Sequence, residues 1–118
     1  MKFSTVACSE IGLREVQQDR YCYFQVDGKS FMVITDGNGG KGGGSLAEEA
    51  TKTIASESCY VLSQNKYNGE MTEEQIEALG VNVLNKATVH TKHIKDSHDE
   101  WSKAGTTITL IMATSNYV

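Results

Sequence analysis

The sequence predicts an α+β protein with the element order β-β-β-α-α-β. Two short segments rich in aromatic and β-branched residues, 21–26 and 31–34, flank the dipeptide Asp27-Gly28, a strong signal for a β-hairpin. Two long segments with helical spacing then follow each other without a strand between them, which favours a layered α+β domain over a parallel βαβ repeat. The 118 residues suffice for one small domain and not for two.

Four strands are predicted. Residues 3–9 form a short first strand, and residues 21–26 follow with the period of two that is typical of a half-buried strand. The continuous apolar run "FMVI" at 31–34 predicts a strand buried on both faces. Residues 106–113 alternate Thr with Ile and Leu and predict the last strand, after which "SN" at 115–116 is typical of a turn.

Two helices are predicted, each beginning with a capping box. Ser45 is followed three residues later by Glu48, and Thr72 is followed at the same distance by Gln75. In a capping box, the two side chains accept hydrogen bonds from the free backbone N–H groups of the first turn. Apolar residues at helical spacing follow each box. The predicted helices cover residues 45–62 and 72–97.

Composition excludes several partners. The net charge is −4 and no cluster of Lys and Arg forms a basic stripe, which argues against a nucleic-acid partner. No apolar run is long enough to span a membrane, and the first ten residues lack the pattern of a signal peptide. An odd number of cysteines, Cys8, Cys22 and Cys59, predicts reduced, buried thiols and a cytoplasmic location.

The stretch "ITDGNGGKGGGS" at 34–45 contains six glycines directly after Asp36, and we call residues 37–44 the glycine loop. No Gly-Lys pair has the spacing of a phosphate-binding P-loop. Gly37, Gly39 and Gly42 match the spelling of a dinucleotide-binding fingerprint, but no βαβ unit follows. A flexible linker is another alternative. A metal site is the fourth, because a carboxylate at a strand end beside a glycine carbonyl suits Mg²⁺ or Mn²⁺.

A second polar stretch supports the metal site. Arg14 precedes Asp19 by five residues, and Asp19 leads into the first strand of the predicted hairpin. Because a hairpin returns the chain, we expect Asp19 and Asp36 to lie near each other, with Arg14 alongside. A guanidinium grips phosphate oxygens with two parallel hydrogen bonds, and carboxylates hold metals that activate water. The set predicts metal-assisted phosphate chemistry, although Arg14 and Asp19 at a surface also make an ordinary ion pair.

Three motifs in this chain resemble those of the metal-dependent protein phosphatases, the type 2C serine/threonine class, and especially the bacterial branch. That family carries R-x-x-N-Q-D near its start, then D-G-M-G-G-H-x-G-G before a helix, and later G-T-T at the opening of a strand. The corresponding segments here are "REVQQD" at 14–19, "DGNGGKGGG" at 36–44 and "GTT" at 105–107. They occur in the same order and span nearly the whole chain.

The resemblance implies a fold and a function. The fold is a β-sandwich flanked by helices, of which residues 1–118 represent a single partial domain, the N-terminal half. Asp36 bridges two ions of Mn²⁺ or Mg²⁺, the Gly37 carbonyl ligates one, Asp19 acts at the metal centre and Arg14 grips the substrate phosphate. The substrate is a phosphoserine or phosphothreonine protein, hydrolysed by metal-activated water. Further aspartates from the C-terminal half complete the centre in that family.

Three positions depart from the family pattern. Gln17 replaces the usual Asn, Lys41 replaces a usual His, and Asn38 stands where bacterial members often have Met and eukaryotic members have His. The histidine is thought to protonate the leaving alkoxide, so Asn38 is not assigned that role. Two alternatives therefore remain: a non-catalytic, phosphatase-like binding module and a nucleotide-binding domain that uses the glycine loop.

The three histidines of the second predicted helix, His90, His93 and His98, make a zinc pair conceivable. His90 lies on the apolar stripe, and His93 and His98 do not share its face well. We therefore predict packed helix histidines. Trp101, which follows the helix, is predicted to anchor over the core.

Overall fold

A computed structural model of the protein describes residues 8–10, 12, 17–64 and 70–117. Its regular elements are β1 (Asp19–Val26), β2 (Lys29–Asn38), α1 (Gly43–Ser63), α2 (Glu73–Asp96), a 3₁₀ turn (Asp99–Trp101) and β3 (Gly105–Ala113). The fold is α+β, as predicted. Of the predicted strand at 3–9 only residues 8 and 9 are described, and neither lies in a strand. Arg14 lies outside the described residues.

The three strands form one antiparallel sheet in the order β1-β2-β3. The hairpin turn between β1 and β2 is the predicted one: Asp27 and Gly28 both have positive φ, at 52° and 73°. Two left-handed residues match the twist of the flanking strands, and Asp-Gly is a preferred pair for this turn. The turn therefore fixes the register, which runs from Val26 opposite Lys29 to Asp19 opposite Asp36.

Strand β2 is the central strand and extends from residue 29 to residue 38, well beyond the predicted run at 31–34. The pairing with β1 and β3 on its two sides carries the strand through the first part of the glycine loop. The prediction that this strand is buried on both faces is wrong. Phe31 and Val33 are buried whereas Ile34 is 45% exposed, because the helices cover only one face of the sheet.

The hydrophobic core lies between that face and the two helices. The Phe24 and Phe31 rings, opposite each other on β1 and β2, stack with their centroids 4.8 Å apart. Apolar side chains from both helices meet them in one cluster, which includes Ile54, Leu79 and Val83. We call this side of the sheet the covered face and the opposite side the open face.

A buried polar contact fixes α1 to the central strand. The Thr35 hydroxyl lies 3.2 Å from the carbonyl oxygen of Ala47 and 3.1 Å from the Thr51 hydroxyl, and Thr51 itself donates to Ala47 at 2.8 Å. Buried hydroxyls that are bonded in this way cost little to desolvate and restrict how a helix can sit on a sheet. This contact positions the start of α1 beside the glycine loop.

The two helices begin differently. Thr72 accepts a hydrogen bond from the Gln75 N–H and the Gln75 side chain accepts one from the Thr72 N–H, so the predicted capping box of α2 is confirmed. The capping box predicted at Ser45 is wrong. α1 starts two residues earlier, after Gly42, whose left-handed backbone (φ 94°) turns the chain into the helix and leaves Ser45 inside the first turn.

The cysteines correct a further prediction. All three are free thiols, as expected, but Cys8 and Cys59 are exposed and only Cys22 is partly buried. Burial, together with the nearby Cys59 thiol, raises the pKa of Cys22. In the described part of the chain, neither helix combines the length and the apolar character required to cross a membrane.

Candidate metal centre

Asp19 and Asp36 lie directly opposite each other at one end of the hairpin. Directly opposed residues of an antiparallel pair project from the same face of the sheet, and here both are exposed on the open face. The Gly37 N–H donates to the Gln18 carbonyl oxygen at 3.1 Å, which makes the next pair, Asp19 and Asp36, the non-hydrogen-bonded kind. In such pairs the Cα atoms are about 4.5 Å apart and the side chains are closest.

The Gly37 carbonyl faces the same end of β1. The N–H and C=O of one residue in an antiparallel strand point to the same neighbouring strand, so the Gly37 carbonyl points toward β1 beside its own N–H. Gly37 itself is buried, and the Asp19 and Asp36 carboxylates emerge on the open face beside it. The two carboxylates and the carbonyl are oxygen ligands of the kind that hard divalent cations prefer.

The opposed Asp19 and Asp36 bring two like charges together at the end of the hairpin. Among the described residues, the ion pairs all lie elsewhere and none includes Asp19 or Asp36. The one guanidinium among the described residues, that of Arg20, donates to the backbone carbonyls of Gln17 and Asp19 at 2.8 and 2.9 Å. Like charges directly opposite each other destabilise a sheet, so a bound cation would relieve this pair.

A concave region of about 520 Å³ surrounds the pair on the open face. Its polar lining includes Glu10 as well as Asp19 and Asp36, and its apolar lining comes from β1 and β2: Tyr21, Tyr23, Met32 and Ile34. Glu10 was missed in the sequence analysis. The available signal was an acidic residue directly ahead of the stretch that runs from Gly12 to Asp19.

The glycine loop owes its composition to close packing. A Cβ atom on Gly39 would collide with the Lys103 carbonyl oxygen, and one on Gly37 would collide with the Gly43 carbonyl oxygen. One on Gly43 would lie 2.6 Å from the Asn38 oxygen. Gly39, Gly40 and Gly42 also have positive φ, which side chains disfavour. The loop is therefore closely packed against its neighbours, and the flexible linker considered from the sequence is wrong.

The structure brings together only part of the predicted site. Asp19, Asp36 and Gly37 lie side by side, and the position of Arg14 falls outside the described residues. Within residues 8–10, 12, 17–64 and 70–117, no group of three or more His, Cys, Asp or Glu side chains is arranged to hold a metal ion. Asp19 and Asp36 are thus the two predicted carboxylates that the structure brings together.

The histidines do not converge on a metal site in the described chain. His90 lies 3.2 Å from the Glu49 carboxylate across an open groove of about 840 Å³ between α1 and α2, which His93 also lines. His98 instead stacks on Trp101, with ring centroids 3.8 Å apart. Trp101 contacts Gly42 in the glycine loop, so the prediction that it anchors over the core is wrong.

No protein-family model matches the chain, and no curated protein sequence matches it. The class that the described structure itself defines is an α+β protein with a three-stranded antiparallel sheet covered on one face by two helices.

Proposed function

We propose that the protein is a metal-dependent protein serine/threonine phosphatase of the type 2C class, represented here by the N-terminal half of its catalytic domain. The observation that carries the proposal is the opposed pair of Asp19 and Asp36, which no ion pair of the described residues includes, with Gly37 directly after Asp36. The motifs around these residues are the ones that resemble the phosphatase family. The same two carboxylates thus carry both the geometric and the sequence support for the proposal.

The residues present fit a hard divalent cation. Asp36 and the Gly37 carbonyl would hold Mn²⁺ or Mg²⁺ from β2, and Asp19 would approach from β1, directly or through a bound water. When bound, the cation supplies a water of lowered pKa that can attack phosphorus at neutral pH. Arg14 would orient the phosphate of a phosphoserine or phosphothreonine substrate through a forked pair of hydrogen bonds.

Three oxygen donors leave most positions of a pair of six-coordinate ions unfilled. The described residues alone would therefore bind a cation weakly. The two or more ions of the family's centre require carboxylates in addition to Asp19 and Asp36. The open face of the sheet agrees with the half-sandwich that the resemblance implies, because a second sheet would pack there. We place the protein in the cytoplasm, which its three free thiols support.

A non-catalytic, phosphatase-like binding module is the second candidate. It is favoured by the incomplete donor set of the described residues and by Asn38, which cannot serve as a proton donor to the leaving group. The two candidates differ in whether phosphate is released.

The first test is site-specific metal binding by the 118-residue chain. We expect substoichiometric Mn²⁺ to broaden the ¹H–¹⁵N resonances of Gln18, Asp19 and Gly37 before others, and Asp36→Asn to remove this broadening. Mn²⁺-dependent release of phosphate from a phosphothreonine peptide by the complete domain, lost in Asp36→Asn, then separates the phosphatase from the binding module. Broadening that is unchanged by Asp36→Asn would remove Asp36 from the site and defeat the proposal.

A further inference from the structure

The segment that connects α2 to β3 packs under the glycine loop. Trp101 is central to this contact: a Cβ atom on Gly42 would lie against the indole atoms Cγ, Cδ1 and Cδ2, so the ring covers Gly42 face on. The His98 ring stacks on Trp101 with an angle of 6° between the planes. The indole therefore lies between His98 and the loop.

Backbone contacts hold this segment in shape. The Trp101 N–H donates to the His98 carbonyl at 3.1 Å and the Ala104 N–H donates to the Trp101 carbonyl at 2.9 Å. The Lys103 carbonyl then meets Gly39 of the loop. An exposed ion pair between Lys41 and Glu100, at 3.9 Å, adds little to the contact.

A continuous series of contacts links Trp101 to the carboxylate pair. Trp101 covers Gly42, and Gly42 precedes Gly43, the first residue of α1. The Gly43 carbonyl in turn abuts Gly37, which follows Asp36. From Gly42 onward this path consists of glycines, so no flexible side chain can absorb a displacement of the loop. A shift at Gly42 would therefore reach the Gly37 carbonyl.

We infer that Trp101 is a positioning residue for the metal end of β2, acting through Gly42 and Gly43 on the Gly37 carbonyl. This inference rests on the proposed function. In metal sites, residues that contact a ligand but not the ion commonly fix the orientation of that ligand. The inference assigns this role to Trp101.

The test is the Mg²⁺ affinity of Trp101 variants, measured from the ¹H–¹⁵N shift of Gly37 during a Mg²⁺ titration of the full chain. We expect Trp101→Ala to weaken binding by about tenfold or more, as is typical when a residue behind a ligand is lost. Trp101→Phe keeps an aromatic face over Gly42 and should lose clearly less affinity than Trp101→Ala, for which we expect about tenfold. Rescue by Phe is not expected from a purely nonspecific loss of stability.

A second pair of variants disturbs the neighbouring contact between the glycine loop and the segment that carries Trp101. Gly39→Ala forces the Lys103 carbonyl away, and we expect it to weaken Mg²⁺ binding as Trp101→Ala does. Gly44→Ala is the matched control, because a Cβ there would meet its nearest atoms at an ordinary 3.6 Å. Tyr60→Ala is the control for loss of an aromatic ring, since Tyr60 is 60% exposed on α1. Thermal unfolding by circular dichroism verifies that each variant is folded.

The outcomes separate the two levels of inference. If Asp36→Asn abolishes the Gly37 response while folded Trp101→Ala and Gly39→Ala retain wild-type affinity, the role of Trp101 is overturned and the proposed function stands. If Asp36→Asn leaves the response intact, the proposed function falls first. If Trp101→Ala does not fold, Trp101→Phe and Gly39→Ala decide together. Wild-type affinity in Gly39→Ala, or full loss in Trp101→Phe, overturns the inference, whereas a loss in Gly39→Ala with affinity kept in Trp101→Phe supports it.

Discussion

The two faces of the sheet differ in what they carry. The covered face holds Phe31, Val33 and Thr35, all buried against the helices, and its polar group is bonded to α1. The open face holds the opposed Asp19 and Asp36 at one end and half-exposed apolar side chains along the rest: Tyr21, Tyr23, Ile34 and Ile111. One sheet thus presents a packed surface and a charged, unpartnered surface.

The difference follows from the period of two along each strand. Residues of odd and even number in β2 project to opposite faces, so Phe31 and Val33 can pack while Asp36 stays in solvent. Covered residues contribute stability, whereas the residues at the end of the open face are available to a ligand. The comparison predicts that substitutions on the two faces affect different measurements.

The largest expected effect is on the covered face. Phe31→Ala removes a fully buried ring that stacks on Phe24, and we expect a loss of about 3–5 kcal/mol in the free energy of unfolding. Ile34→Ala, three residues along the same strand but 45% exposed, should cost about 1 kcal/mol or less. Urea unfolding followed by circular dichroism measures both.

Equal losses for the two substitutions would contradict the comparison. Such a result would mean that the open face is covered in solution, and the midpoint for Ile34→Ala would then change with protein concentration if a second copy covers it.

The next effect concerns the helices that form the covered face. Thr72→Ala removes both the hydroxyl acceptor and the capping box of α2, and we expect a loss of about 1 kcal/mol. Ser45→Ala should change stability by less than about 0.5 kcal/mol, because Ser45 lies within the first turn and caps nothing. The same urea titration measures the pair. A larger loss at Ser45 than at Thr72 would show that α1 begins at Ser45 after all.

The smallest expected change in the free energy of unfolding is at the charged end of the open face, and it is a gain in stability. In EDTA, Asp19→Asn or Asp36→Asn should each raise the free energy of unfolding by about 0.2–1 kcal/mol, because each removes the like-charge repulsion. The double variant should gain nothing further from this pair, which a double-mutant cycle tests. Adding Mg²⁺ should stabilise only the wild type. Additive gains in EDTA would show that the two carboxylates do not interact.

Much of the candidate site could be predicted from the sequence because it depends on local geometry. The Asp27-Gly28 turn fixes the hairpin register, and that register alone places Asp19 opposite Asp36. The sequence indicated that the glycines of the loop are required, but it indicated only part of the reason. The sequence suggested room for an ion and a phosphate, whereas the structure shows backbone packed against Lys103 and Trp101.

The sequence by itself determined the hairpin, the capping box of α2, the two helices and the α+β class. Each of these features depends on residues that are close together in the chain. The tertiary structure decided which face of β2 is buried, where α1 begins and what Trp101 contacts. Each of these depends on segments distant in the chain, since the covering of a sheet face or the approach of residues 98–104 to the glycine loop leaves no periodic pattern in either partner. Strand periodicity separates the two faces, and only packing determines which of them receives the helices.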